Sequence, residues 1–237
     1  MNSTLKKASS LAKSDLKISL RRSESLLVTV IVPIFALIAS SQTEGGVEKY
    51  LPFVLLLTVM GTALLSIGIS TGFDRRYRVL VRLGTTPLGK VGIVLSKIIY
   101  IFILETILLL IVAGVGVVLG YDLTVKSFLL FPLCWLASIT FTSIALIIAS
   151  NIKAETNLGI QNLVYFLFIV TGSLAFVSKT SSSYLYDLTR LIPSTALHSL
   201  LRFTTGLENF SWISLISLLV LGALLSFIAI KVFKFDE

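Results

Sequence analysis

Residues 91–120 read VGIVLSKIIYIFILETILLLIVAGVGVVLG, thirty positions that carry only two charges, Lys97 and Glu105. A bilayer's hydrocarbon core is about 30 Å thick, and a helix rising about 1.5 Å per residue crosses it in roughly 20 apolar residues. The run therefore predicts a membrane-spanning helix. Further apolar runs lie at 25–41, 50–72, 127–150, 158–178 and 211–232. The first contains Thr29 and Pro33, and the proline predicts a kink. The fold expected is all-α: a polytopic membrane protein with six transmembrane helices, in which residues 1–237 form a single transmembrane domain.

Composition agrees. Of 237 residues 55% are hydrophobic and 14% charged, against about a quarter charged in ordinary soluble domains. The net charge of +8 would ordinarily suggest a nucleic-acid partner, but the cations sit in short clusters between apolar runs. They are a topology signal, and no nucleic acid is expected. One side collects fourteen Lys and Arg: Lys6, Lys7, Lys13, Lys17, Arg21, Arg22, Arg75, Arg76, Arg78, Arg82, Lys90, Lys153, Lys231 and Lys234. The other side has five, Lys49, Lys126, Lys179, Arg190 and Arg202, while Lys97 lies within a span. The rich side is cytoplasmic, which puts both termini in the cytoplasm of a multi-pass cell (plasma) membrane protein. No cleavable signal peptide is expected, because the basic N-terminal stretch is long and no small-residue cleavage site follows the first apolar run. The single cysteine, Cys134, allows no internal disulfide, and the single histidine, His198, allows no multi-histidine metal site.

Three segments outside the spans are patterned. Residues 4–22 place Leu5, Ala8, Ala12, Leu16 and Leu20 at helical spacing, with Lys13, Lys17 and Arg21 on another face. This predicts a helix in the membrane interface, its cations toward anionic lipid headgroups; the plainer alternative is a solvated basic tail that sets topology. Residues 73–90 form a cytoplasmic loop in which Arg75, Arg78 and Arg82 share one helical face and Tyr77, Leu80 and Val81 another, predicting a single short amphipathic helix over 74–84. Gly84 suits its C-terminal cap, and Thr86 and Pro87 suit the N-cap and first turn of the next span. Residues 179–210 are external, with Leu188 and Leu191 before Pro193 and Leu197, Leu200 and Leu201 after it. Two amphipathic helices broken at the proline are predicted, lying on or dipping into the membrane surface, the second ended by Gly206.

The chemistry-bearing candidates are few. GTTPLGKV at 84–91 stops one residue short of a phosphate-binding loop: Val91 replaces the hydroxyl residue that such a loop offers magnesium, and an arginine-rich amphipathic helix precedes it where a buried strand should, the helix it opens being a membrane span. Glu105 lies inside a span, where an acid costs up to roughly 2.5–3.5 kcal/mol when central, so it must face protein or water. A substrate or proton role competes there with a hydrogen-bonded packing role, and the packing role is favoured because no second intramembrane acid suggests a relay. Gln161 and Asn162 likewise suit interhelical hydrogen bonds better than ligand contacts. Gly68 with Gly72, and Gly116 with Gly120, are spaced to let helices approach closely. No catalytic or metal site is assigned, since Glu105 lies in the bilayer while Asp187 and His198 lie outside it.

Two stretches resemble the membrane subunit of type-2 ATP-binding-cassette transporters. RRYRVLVRLGTTPLGKVGIVLSKI at 75–98 is similar to that family's basic stretch before the third helix. NLVYFLFIVTGSLAFV at 162–177, a spacer, then LIPSTALHSLLR at 191–202 is similar to its fifth helix, external re-entrant segment and proline-containing helix. The chain departs from the family in that Asp74 is the only acid of the basic stretch. The resemblance implies a permease that is not itself an enzyme and holds no cofactor. ATP and magnesium would bind separate cytoplasmic ATPase subunits, with a second copy or a sister permease completing the pathway for exporting an amphiphilic drug-like or lipid-like compound. It implies ATPase coupling through Phe73, Asp74, Arg75, Arg76, Tyr77, Arg78, Leu80, Val81, Arg82, Thr85 and Thr86, together with the N-terminal helix. Alternatives of other classes are a membrane-embedded lipid-modifying enzyme and a non-transporting assembly factor.

Overall fold

The computed structural model describes residues 2–21, 23–43, 45–85, 88–177 and 187–235, and among these it is all-helical, without strands. The helices are α1 (Asn2–Arg21), α2 (Ser23–Ser41), α3 (Gly46–Arg76), α4 (Val79–Gly84), α5 (Gly89–Val118), α6 (Leu130–Ala149), α7 (Ala154–Val177), α8 (Pro193–Thr204) and α9 (Trp212–Val232). A 3₁₀ turn, Val125–Leu129, leads directly into α6. Four segments are long and apolar enough to cross a membrane: α3, α5, α6 with its preceding turn, and α9; Val30–Ser41 of α2 is a shorter apolar helix. Helix α2 runs through Pro33.

Helix α3 lies at the centre. Its Leu55, Val59, Met60, Ala63 and Leu64 share one core with Ile101, Leu104 and Leu108 of α5, Ala137 and Phe141 of α6, and Leu197, Leu200 and Leu201 of α8. Over Gly61–Ser66 it widens into a π turn. Lipid tails are as apolar as leucine, so helices associate through close packing and hydrogen bonds rather than through escape from water. Gly68 and Gly72 serve that end: a Cβ at either would collide with Gln161 or Asn157 of α7. The second glycine pair does not. Gly120, at φ +100°, is the left-handed residue that ends α5, where Tyr121 N–H donates to Gly116 O (2.9 Å) and Gly120 N–H to Val117 O (3.0 Å). Gly206 ends α8 in the same way, as expected from the sequence, with φ +77° and a bond from Leu207 N–H to Arg202 O (2.9 Å).

Helix α1 packs along α5. Ala8 and Ala12 are fully buried and Leu16 borders the core, while Lys6, Lys7, Lys13 and Lys17 stay exposed. The side chains of Leu5 and Leu20 lie outside the described residues, as do Thr86, Pro87 and residues 179–186. One sequence expectation needs correction and another is made more specific. The single helix over 74–84 is in fact two, because α3 continues to Arg76 and the chain breaks at Tyr77 and Arg78, the latter in the left-handed region at φ 57°. The helix after Pro193, expected to lie on or dip into the membrane surface, packs inside the helical bundle. Every residue from Pro193 to Leu201 is buried, with α3, α6, α7 and α9 around it. Helix α7 supplies partners for several of its polar side chains: Thr195 donates to Thr171 O (2.9 Å), and His198 Nδ1 pairs with Gly172 O (2.7 Å).

Candidate functional site

The last turn of α3 and the whole of α4 carry the residues expected to couple to an ATPase, and the structure divides them. Arg75 is 5% exposed and donates through its guanidinium to Ala149 O (3.0 Å), a carbonyl at the C-terminal end of α6. That end has unpaired carbonyls and the negative pole of the helix dipole, so a buried cation there is stabilised. Asp74 pairs with Lys97 of α5 (3.2 Å), and Lys97, itself 4% exposed, also pairs with Asp15 of α1 (3.1 Å). Arg76 pairs with Glu155, in the first turn of α7 (2.5 Å). Phe73 stacks on Tyr77 with ring centroids 6.2 Å apart.

Leu80 is fully buried and anchors α4 to the core, whereas Tyr77 is 66% exposed and Val79 and Val81 are also exposed. Arg78, Arg82 and Thr85 point outward too, Thr85 donating to Arg82 O (2.7 Å). Thr86 lies outside the described residues. The surface offered by α4 is therefore Tyr77, Arg78, Val79, Val81, Arg82 and Thr85, an apolar centre edged by cations. Val79 belongs to it and is missed by a face drawn as one continuous helix.

The polar residues expected within the spans fall into separate places. Glu105 is fully buried; Thr62, in the π turn, donates to its Oε1 (3.0 Å), and Ser138 of α6 donates to Oε2. Gln161 Nε2 donates to Ala145 O (3.1 Å) and to Asn157 Oδ1 (3.2 Å), and Asn157 Nδ2 donates to Gly68 O (2.9 Å). Asn157 is a buried bridge that sequence reasoning overlooks, although its i, i+4 spacing to Gln161 is a usable signal. Asn162, one residue on, points outward and donates to Leu158 O (2.7 Å) of its own helix.

His198 faces the Gly172 carbonyl and the ring of Phe53, and Asp187 pairs with Arg190 (3.0 Å). Glu105, His198 and Asp187 thus have partners of their own and form no cluster, and among the described residues no group of three or more His, Cys, Asp or Glu could hold a metal ion. The stretch at 84–91 joins α4 to α5, two helices, where a phosphate-binding loop needs a preceding strand.

A search among curated proteins finds no match. The family model described as ABC-2 type transporter matches residues 7–205, a span that takes in most of α1, the α3–α4 junction, the buried polar residues and α8. The chain belongs to the ABC-2 type transporter family, as a membrane-embedded permease subunit.

Proposed function

We propose that this chain is the membrane half of an ATP-driven exporter of amphiphilic, lipid-like or drug-like compounds. It works as a dimer with a second copy or a sister permease, and two cytoplasmic ATPase subunits, which bind ATP and magnesium, drive it. The chain acts as one domain of six spans, α2 and α7 completing the four already described. The observation that carries the reading is α4. A six-residue helix held to the core by Leu80 turns Tyr77, Val79 and Val81 outward beside Arg78 and Arg82, on the side where the cations accumulate. Grouped on one short helix and edged by cations, those apolar side chains suit docking against another surface. Helix α7 supports an amphiphilic cargo, since its outward face mixes Asn162 with Leu158, Leu163 and Phe166.

The test is reconstitution of the chain with its ATPase subunit in phosphatidylcholine–phosphatidylglycerol vesicles carrying a fluorescent phospholipid. ATP with magnesium is expected to move the labelled lipid between leaflets faster than ATP without magnesium. Equal rates, or an ATPase subunit that fails to co-purify, would remove the proposal.

Orientation is tested separately. With Cys134→Ala as background, single cysteines at Ser10, Thr85 and Asn209, all exposed, are challenged with a membrane-impermeant maleimide. In intact cells only the one at Asn209 is expected to react. Reaction at Thr85 would invert the topology.

A further inference from the structure

Three consecutive residues at the end of α3 reach three different helices. Asp74 holds Lys97 of α5, Arg75 holds the Ala149 carbonyl at the end of α6, and Arg76 holds Glu155 at the start of α7. Successive helical positions are roughly 100° apart, so one turn can fan out this way only where neighbours surround it. Lys97 adds a fourth helix, because its second partner is Asp15 of α1. Each bond has a charged partner, and two of the arms run through cations that are almost completely buried.

We propose that the Asp74–Arg75–Arg76 turn is a transmission hub that passes a displacement of α4 to α5, α6 and α7 together, with Lys97 drawing α1 into the same unit through Asp15. The inference rests on the docking of an ATPase subunit at α4. The link between α4 and the hub is only Tyr77 and Arg78, and at about 3.5 Å per residue it has little slack. Leu80 fixes the far side of α4 in the core. A push on Tyr77 or Val81 therefore reaches Arg76 and its two neighbours through the backbone, alongside the direct packing of α4 on α5. The residues of the hub are positioning residues. They touch no nucleotide, and without them the ATPase is expected to bind while the membrane helices no longer follow it.

Removing one member of a buried pair leaves a stranded charge, whereas neutralising every member is often tolerated. That difference separates transmission from mere structure. The experiment is hydrogen–deuterium exchange on the purified permease–ATPase complex, comparing nucleotide-free with ATP–vanadate-trapped states. In the wild type, trapping is expected to change exchange at the cytoplasmic ends of α5, α6 and α7. Arg76→Glu is expected to lose the change at α7 while retaining it at α5, and the charge-reversed pair Arg76→Glu with Glu155→Arg to regain it. Both side chains of that pair are substantially exposed, 46% and 65%, so folding does not confuse this arm.

The triple variant Asp15→Asn, Asp74→Asn and Lys97→Met is expected to assemble but to lose the change at α5 and α1. A wild-type response at α7 in Arg76→Glu, failure of the reversed pair to restore it, or a wild-type response at α5 in the triple variant would overturn the hub. Failure of the wild-type chain to bind an ATPase, or to respond to trapping, would overturn the transporter reading beneath it, and that result looks different because no helix responds in any variant.

Discussion

Glu105→Lys is expected to abolish recovery of folded permease from the membrane, while Glu105→Gln is expected to change thermal stability by no more than about 1 kcal/mol, the worth of an ordinary hydrogen bond. The Glu105 carboxyl sits between α3 and α6 with two hydroxyls pointed at it, and among the described residues no cation pairs with it. A glutamine keeps an oxygen for one of those hydroxyls and brings a donor to the other. A lysine brings a fixed cation with no acid opposite and costs about 2.5–3.5 kcal/mol near the middle of a span. It must also displace packed neighbours. Fluorescence-detected gel filtration and thermal melts of the detergent-solubilised chain provide the measurement.

Leucine at the same position separates packing from chemistry. Both hydroxyls have a fallback, Thr62 on Thr58 O (2.9 Å) or Val59 O (3.0 Å) and Ser138 on Cys134 O (2.7 Å). Glu105→Leu therefore leaves no donor stranded and is expected to fold. If Glu105→Gln and Glu105→Leu fold, bind the ATPase and still move no labelled lipid, the acid does more than pack. The π turn that places Thr62 opposite Glu105 makes that outcome worth testing, since such turns are frequent at functional sites.

Four spans were legible because burial in lipid demands long apolar runs: the predicted segments at 50–72, 91–120, 127–150 and 211–232 fall on α3, α5, α6 with its preceding turn, and α9, the helices long and apolar enough to cross a membrane. The coupling surface was only half legible. Counting helical faces through 74–84 assumes an unbroken phase, but the left-handed backbone at Arg78 resets it. That is why Arg75 and Leu80, placed on opposite faces by counting, are both buried. The burial of α8 was hidden for a different reason. Thr171 and Gly172 of α7 meet its Ser194, Thr195 and His198, Ser194 through the Thr171 hydroxyl (2.8 Å). Periodicity reports polarity, and it cannot say that the partner is a backbone carbonyl on another helix. Asn157 was hidden in the same way, because its acceptor is the carbonyl of Gly68, accessible only where a side chain is missing.

Tyr77→Ala with Val81→Ala is expected to weaken ATPase binding some thirtyfold, by roughly 2 kcal/mol at 1.4 kcal/mol per decade, with insertion and thermal stability unchanged. The pair is chosen because both side chains are exposed; replacing Leu80, whose side chain is in the core, would mix loss of folding with loss of docking. Every charge stays in place, so topology has no reason to change. A competing role exists for the neighbouring cations, because Arg78 and Arg82 could do no more than hold anionic headgroups at about 1 kcal/mol each. The two roles respond differently. Rim charges at a protein interface act mainly on association rate and its salt dependence, and buried apolar anchors act on dissociation. Arg78→Gln with Arg82→Gln is therefore expected to slow capture of the ATPase at low salt and to flatten its salt dependence, whereas the Tyr77 and Val81 double variant speeds release at any salt. Surface-immobilised permease in lipid nanodiscs, with purified ATPase flowed over it, resolves both rates. Unchanged release from the double variant would show that α4 is not the docking helix, and would move the search to the exposed Lys6, Lys13 and Lys17 of α1.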